Sequence, residues 1–205
     1  MTTLVGIKVK DGVILASDKR ATAYQQIVAD KEARKILPIT DNILIAAAGL
    51  VADLQHLAKI LGTELKLREL YSRRKVNVIE AVNFLSYILY ANRYFSPHLV
   101  ELFVAGPKNN KEFAIYSLDS AGGVSEITDY FATGSGGTLA LGVLEVGYKP
   151  NMSLKEAEEL AEKAIRAAIG RDVFSGDGIE IYTISSKGIK SKKINLKNPA
   201  AVNSE

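Results

Sequence analysis

The sequence predicts an α+β fold in four layers, αββα: two mainly antiparallel sheets stacked face to face and flanked by helix pairs. Apolar residues alternate at period two in short runs joined by turn residues, at the start, middle and end of the chain. Between those regions the apolar period lengthens to about 3.6 residues, the helical repeat. The resulting order is strands, two helices, strands, two helices, strands, which suits two sheets that each cover one outer face with a helix pair.

Residues 4–9 and 13–17 are expected to be strands joined by Lys10-Asp11-Gly12, because Asp-Gly between apolar alternations is a strong hairpin signal. Residues 35–39 and 43–48 form a second pair around Thr40-Asp41-Asn42. A helix follows, with Leu54, Leu57, Ala58, Leu61 and Leu65 on one face. A second helix over 78–93 carries Ile79, Val82, Phe84, Leu85, Ile88 and Leu89, too many for a narrow stripe, so it should be largely buried.

Strands over 99–105, 113–118 and 124–128 make a central meander, with turns at Lys108-Asn109-Asn110 and Ser120-Ala121-Gly122-Gly123. Residues 138–148 read as helix. The next helix starts with a capping box, Ser153 with Glu156, runs through Ala157, Leu160, Ala161, Ala164, Ile165 and Ala168, and ends at Gly170. Strands over 179–185 and 189–196 close the pattern. The lysines between 187 and 197 suit an edge strand protected by charge. No repeat or long linker divides the chain, so residues 1–205 are expected to form one domain, with 199–205 a flexible tail.

Composition narrows the chemistry. Of 205 residues, 47% are hydrophobic and 24% charged, enough apolar material for a sizeable core. Net charge is +3, so nothing calls for nucleic acid or an anionic membrane as partner. There are no cysteines and only His56 and His98, which excludes disulfides, thiolate zinc sites and a cysteine nucleophile. No metal or cofactor is assigned. No run reaches the roughly 20 apolar residues of a membrane span, and the expected location is cytoplasmic.

Several runs fall at the boundaries of the expected elements: Thr2-Thr3 opening the first strand, Ala16-Ser17-Asp18-Lys19-Arg20-Ala21-Thr22 after the second, Arg34-Lys35 starting the third, Ala48-Gly49-Leu50-Val51-Ala52-Asp53 joining the fourth to the first helix, Thr133-Gly134-Ser135-Gly136-Gly137, and the segment from Arg171 through Asp172, Ser175 and Asp177 to Gly178. Each has an ordinary structural reading: strand openers, strand-end charges, turns. In this order and at these separations the set resembles the archaeal-type proteasome β-subunit family of N-terminal-nucleophile (Ntn) hydrolases, over residues 2 to 194.

That resemblance implies a threonine endopeptidase with the Ntn-hydrolase fold. A threonine hydroxyl is a weak nucleophile and needs a base. The α-amine of the same residue, with an ordinary pKa of about 7.7–8.0, can serve only if nothing precedes it. Met1 must therefore be removed from Thr2. Lys35 is implied to stand beside the Thr2 hydroxyl with Asp18 holding its charge, and Ser135, Asp172 and Ser175 to support the amine and a proton-relaying water. The Gly49 N–H is implied as oxyanion donor at a strand-to-helix junction. Asp177 is a weaker candidate that caps a turn. Ala21, Ala33, Ala47, Val51 and Gln55 are implied to line the pocket for the side chain before the cleaved bond, and with no charge among them they favour large hydrophobic residues.

The pattern departs from the family at Met1, where precursors usually have glycine, at Tyr24, where glycine is common, and in one extra residue before Lys35. The implied partners are other β-type subunits in a seven-membered ring, α-type ring subunits, an unfolding ATPase and unfolded polypeptide. Two alternatives stand beside this reading: a non-catalytic structural β-type subunit that retains Met1, and the bacterial two-ring ATP-dependent threonine protease. An α-type subunit is disfavoured because it has an extra N-terminal helix.

Overall fold

In the computed structural model, residues 2–24 and 26–196 are described; the expected tail at 199–205 lies outside them. The chain starts with the hairpin β1 (Thr3–Val9) and β2 (Gly12–Asp18), with Val9 opposite Gly12. Two short strands follow, β3 (Ala21–Ala23) and β4 (Ile27–Asp30), paired only with each other. The second expected pair is β5 (Ile36–Pro38) and β6 (Leu44–Gly49).

Helices α1 (Val51–Ser72) and α2 (Val78–Asn92) lead to the meander β7 (Val100–Pro107), β8 (Phe113–Leu118) and β9 (Val124–Ile127). Then come β10 (Tyr130–Gly134), α3 (Gly137–Gly147), α4 (Leu154–Ile169), β11 (Gly178–Ser185) and β12 (Gly188–Asn195).

Two five-stranded antiparallel sheets result, ordered β10-β1-β2-β11-β12 and β5-β6-β7-β8-β9. Side chains alternate across each strand, so each sheet supplies two apolar faces. Val13, Leu15, Leu44, Ala46, Phe103 and Ile115 meet between the sheets. Ile45, Leu102 and Val104 pack under α1 and α2, and Ile14, Ala16 and Ile181 under α3 and α4. These are the four αββα layers expected from the sequence.

Helix α4 has the expected capping box, and the apolar positions read from the sequence, Ala157, Leu160, Ala161, Ala164, Ile165 and Ala168, are all buried. Its alanines let the helix axis approach the sheet closely. Helix α2 also has a capping box, Asn77 with Glu80, which the apolar pattern did not reveal. It buries Val78, Ala81, Val82, Leu85 and Leu89, while Ile79, Phe84 and Ile88 are half-buried and Tyr87 and Tyr90 exposed. The expectation of a largely buried helix holds for its broad inner face and not for its outer one. Strand β12 is an edge strand with Lys190, Lys192 and Lys193 exposed, the charge protection anticipated. Among the described residues no helix is long and apolar enough to cross a membrane.

Candidate active site

Strand order places the start of β1 between the ends of β10 and β2. Thr2 sits there, only 4% exposed, and lines a cleft of about 1140 Å³. The charged centre beneath it comes from the end of β2 and the start of β5. Asp18, wholly buried, accepts hydrogen bonds at Oδ1 from the Lys35 ammonium at 2.7 Å and the Thr3 amide at 3.0 Å. Its Oδ2 accepts from the amides of Arg20 and Gly176, both at 3.0 Å. A buried carboxylate with donors on both oxygens is held in one orientation. Burial lowers the pKa of Lys35 below that of an ordinary lysine, although Asp18 pulls it upward.

A second group comes from the loops after β10 and α4. Ser175 Oγ donates to Asp172 Oδ2 at 2.6 Å, and Ser135 Oγ donates to the same oxygen at 2.7 Å. Ser135 Oγ also lies 3.4 Å from the carbonyl oxygen of Thr2. Because Ser175 spends its proton on the carboxylate, the 2.7 Å contact between Thr3 Oγ1 and Ser175 Oγ has the threonine as donor. Thr3 thus touches both groups: its amide meets Asp18 and its hydroxyl meets Ser175. Thr2, Asp18, Lys35, Ser135, Asp172 and Ser175 are brought together from positions far apart in the chain, with Thr3 as a link that sequence reasoning treated only as a strand opener.

Arg20 was also missed. Its Nε donates to Asp177 Oδ2 at 2.7 Å and its Nη1 to the Val173 carbonyl at 3.0 Å, tying the 172–178 loop to the end of β2. Asp177 therefore does more than cap its turn. It adopts φ 67°, a left-handed conformation that aspartate tolerates better than most residues. The pairing spans 157 positions, so no local spacing could signal it.

Gly49 ends β6 with φ 143°, and a Cβ there would lie 2.1 Å from the Leu99 carbonyl oxygen. Only glycine fits. The N-cap of α1, Leu50, offers no side-chain cap, so the helix begins beside the cleft with free amides, and Asp53 in its first turn accepts from the Leu99 amide at 2.8 Å. Of the expected pocket residues, Ala21 and Val51 line the cleft. Ala47 packs into the core under α1, Ala33 is half-buried and donates its amide to the Lys19 carbonyl, and Gln55 is exposed farther along α1. Thr22, Tyr24, Leu50 and Leu99 also contribute to the cleft wall. Tyr24 has φ 54°, a left-handed conformation that glycine adopts freely and tyrosine only under strain, and nothing in the structure explains the tyrosine there.

Comparison with known proteins shows the family to which this fold belongs. The family model described as "Proteasome subunit" matches residues 1–184. The chain belongs to the proteasome subunit family. It is 63% identical over 190 residues to proteasome subunit beta of Nanoarchaeum equitans (strain Kin4-M), covering 93% of this chain and 96% of the other. Proteasome subunit beta 2 of Sulfolobus acidocaldarius is 44% identical over 192 residues, 94% of this chain and 92% of that one. Proteasome subunit beta of Methanocaldococcus fervens is 41% identical over 189 residues, 92% and 84%. The chain is therefore a β-type subunit of the 20S proteasome core, a protease particle in which it assembles with other subunits.

Proposed function

We propose that this β-type subunit is catalytic, a threonine endopeptidase whose nucleophile is Thr2 once the chain begins at that residue. The observation that carries the reading is the buried Asp18–Lys35 pair at 2.7 Å, joined through the Thr3 amide to the residue next to Thr2. A structural subunit has no need of a desolvated ammonium at the head of this strand.

The free α-amine of Thr2, acting through a water, takes the Oγ proton, and the oxygen attacks the scissile carbonyl. Lys35 supplies positive charge that favours the developing alkoxide. The tetrahedral oxyanion is stabilised by the Gly49 N–H at the junction of β6 and α1. As the C–N bond breaks, the protonated amine returns its proton to the leaving nitrogen, and an ester remains on Thr2. Water, deprotonated by the same amine, attacks that ester and restores the hydroxyl. Ser135, Asp172 and Ser175 orient the amine and the water.

The substrate is unfolded polypeptide delivered by an ATPase in the cytoplasm. The uncharged wall of Ala21, Leu50, Val51 and Leu99 receives a large hydrophobic side chain before the cleaved bond. The test joins the intact mass of the chain in the assembled particle to peptide hydrolysis by wild type and Thr2→Ala. A chain starting at Thr2, with hydrolysis lost in the variant and fastest after Leu or Tyr, supports the reading. Unchanged hydrolysis in Thr2→Ala overturns catalysis, and faster cleavage after Arg overturns the apolar pocket.

A further inference from the structure

Among the described residues lining the Thr2 cleft, the single charged side chain is Glu101. The β6–β7 register sets Glu101 opposite Ala48 and Val100 opposite Gly49, so the carboxylate stands one step from the oxyanion candidate. Thr133 Oγ1 donates a hydrogen bond to it. That donor is neutral, so it holds the carboxylate in place without cancelling its charge. Thr133 belongs to β10, and the order β10-β1-β2 puts this arm of the cleft on the side of Thr2 opposite Ala21 and Thr22.

Glu101 and Thr133 also border a second cavity of about 390 Å³ between β10 of one sheet and β7, β8 and β9 of the other. That volume falls within the usual range of ligand pockets, about 300–1,000 Å³. Its walls include Leu118, Val124 and Phe131, and its charged residues among those described are Glu101 and Asp119, both acidic. An apolar wall with carboxylates and no cation matches the two parts of a lysine or arginine side chain, an aliphatic stem and a cationic head. A neutral or acidic side chain has no such match.

We propose that this side cavity is a substrate subsite for a basic side chain, with Glu101 as its specificity-determining residue. The proposal rests on the Thr2 reading for its place in catalysis. The subsite sits apart from the apolar wall that takes the residue before the cleaved bond. It gives the enzyme a charge preference that the apolar wall lacks.

The test uses assembled particles and internally quenched peptides with a fixed Leu at the cleavage point and Lys, Gln or Glu scanned through the neighbouring positions on both sides. At one position Lys is expected to exceed Gln about tenfold in kcat/KM, with Glu below both, and Glu101→Gln is expected to bring the Lys:Gln ratio close to one. The ratio is taken within one particle preparation, so it does not depend on how much of the variant assembles. Equal ratios in wild type and Glu101→Gln at every position overturn the proposal. If wild type hydrolyses none of the peptides, the Thr2 reading has failed, and the subsite is then judged by binding. Fluorescence anisotropy of the Lys and Gln peptides should show tighter binding of Lys to wild type than to Glu101→Gln, and equal binding overturns the proposal.

Discussion

The Asp18 carboxylate lies 2.7 Å from the Lys35 ammonium, with both groups withdrawn from water. Removing one partner of such a pair leaves an uncompensated buried charge, at a cost of about 3–5 kcal/mol. Asp18→Asn is therefore expected to lower the thermal stability of the particle and to reduce peptide hydrolysis by about 100-fold or more. Calorimetry and kcat on the same preparation check this. Near-wild-type kcat in a stably assembled variant would contradict the role given to the pair.

The pH dependence of hydrolysis follows from two groups. The Thr2 amine must be neutral to take a proton, so activity rises with pH through the amine range, about 7.7–8.0 when unperturbed. Lys35 must be charged, and burial lowers its pKa, so activity falls again below the ordinary lysine value of about 10.4. Stability has the opposite slope on that limb. Between the lowered and ordinary values the unfolded chain binds more protons than the folded one, so stability rises with pH as activity declines. A kcat profile recorded beside a denaturation series tests both signs, and an alkaline limb at or above the ordinary lysine pKa would refute the assignment.

Thr3 and Ser175 are predicted to act as one unit through their 2.7 Å contact. Thr3→Val and Ser175→Ala should each reduce kcat, and the double variant should lose less than the product of the single effects. The expected coupling is about 0.5–3 kcal/mol. Thr3→Ser retains the donor and should recover most of the rate. Strictly multiplicative losses would show that the contact transmits nothing.

Glu180 offers a test of stability away from the catalytic chemistry. It is 1% exposed, its Oε2 has no hydrogen-bond partner among the described residues, and burial raises its pKa. Between the ordinary glutamate value, about 4.3, and the raised value, the folded state binds more protons than the unfolded, so stability falls as pH climbs through that window. Glu180→Gln should remove this loss, stabilising the protein above the window by about 1 kcal/mol, roughly 2–4 °C for a chain of this size. A difference from wild type that is the same at pH 4 and pH 8 would refute the explanation.

Much of this architecture was legible because strong periodicity accompanies burial. The hairpin of β1 and β2, the meander of β7 to β9 and the buried stripe of α4 all announce themselves in apolar spacing. Strands β3 and β4 do not: β3 is three half-buried residues, and every residue of β4 is exposed, so neither carries an inward-facing pattern. Strand β10 was hidden because its end enters the glycine-rich run at Thr133 and Gly134, which reads as a turn. In the site, Asp18, Lys35 and the 172–175 loop were legible through family resemblance. Thr3 and Arg20 were not, since their roles lie in contacts to Ser175 and Asp177 across most of the chain. Ala47 shows a limit of another kind: it packs into the core beneath the helix that carries the cleft wall.

The amide of Gly176 that completes the shell of Asp18, and the Ser175 hydroxyl that meets Thr3, both belong to a loop beyond α4. During synthesis, the residues at the head of the chain must therefore wait for almost the whole polypeptide to emerge before their surroundings exist. Under the catalytic role proposed for Thr2, a nascent or truncated chain lacking that loop has the threonine but not the setting that would make it dangerous to its neighbours. Chain order itself acts as a safety catch, released when the last hairpin docks.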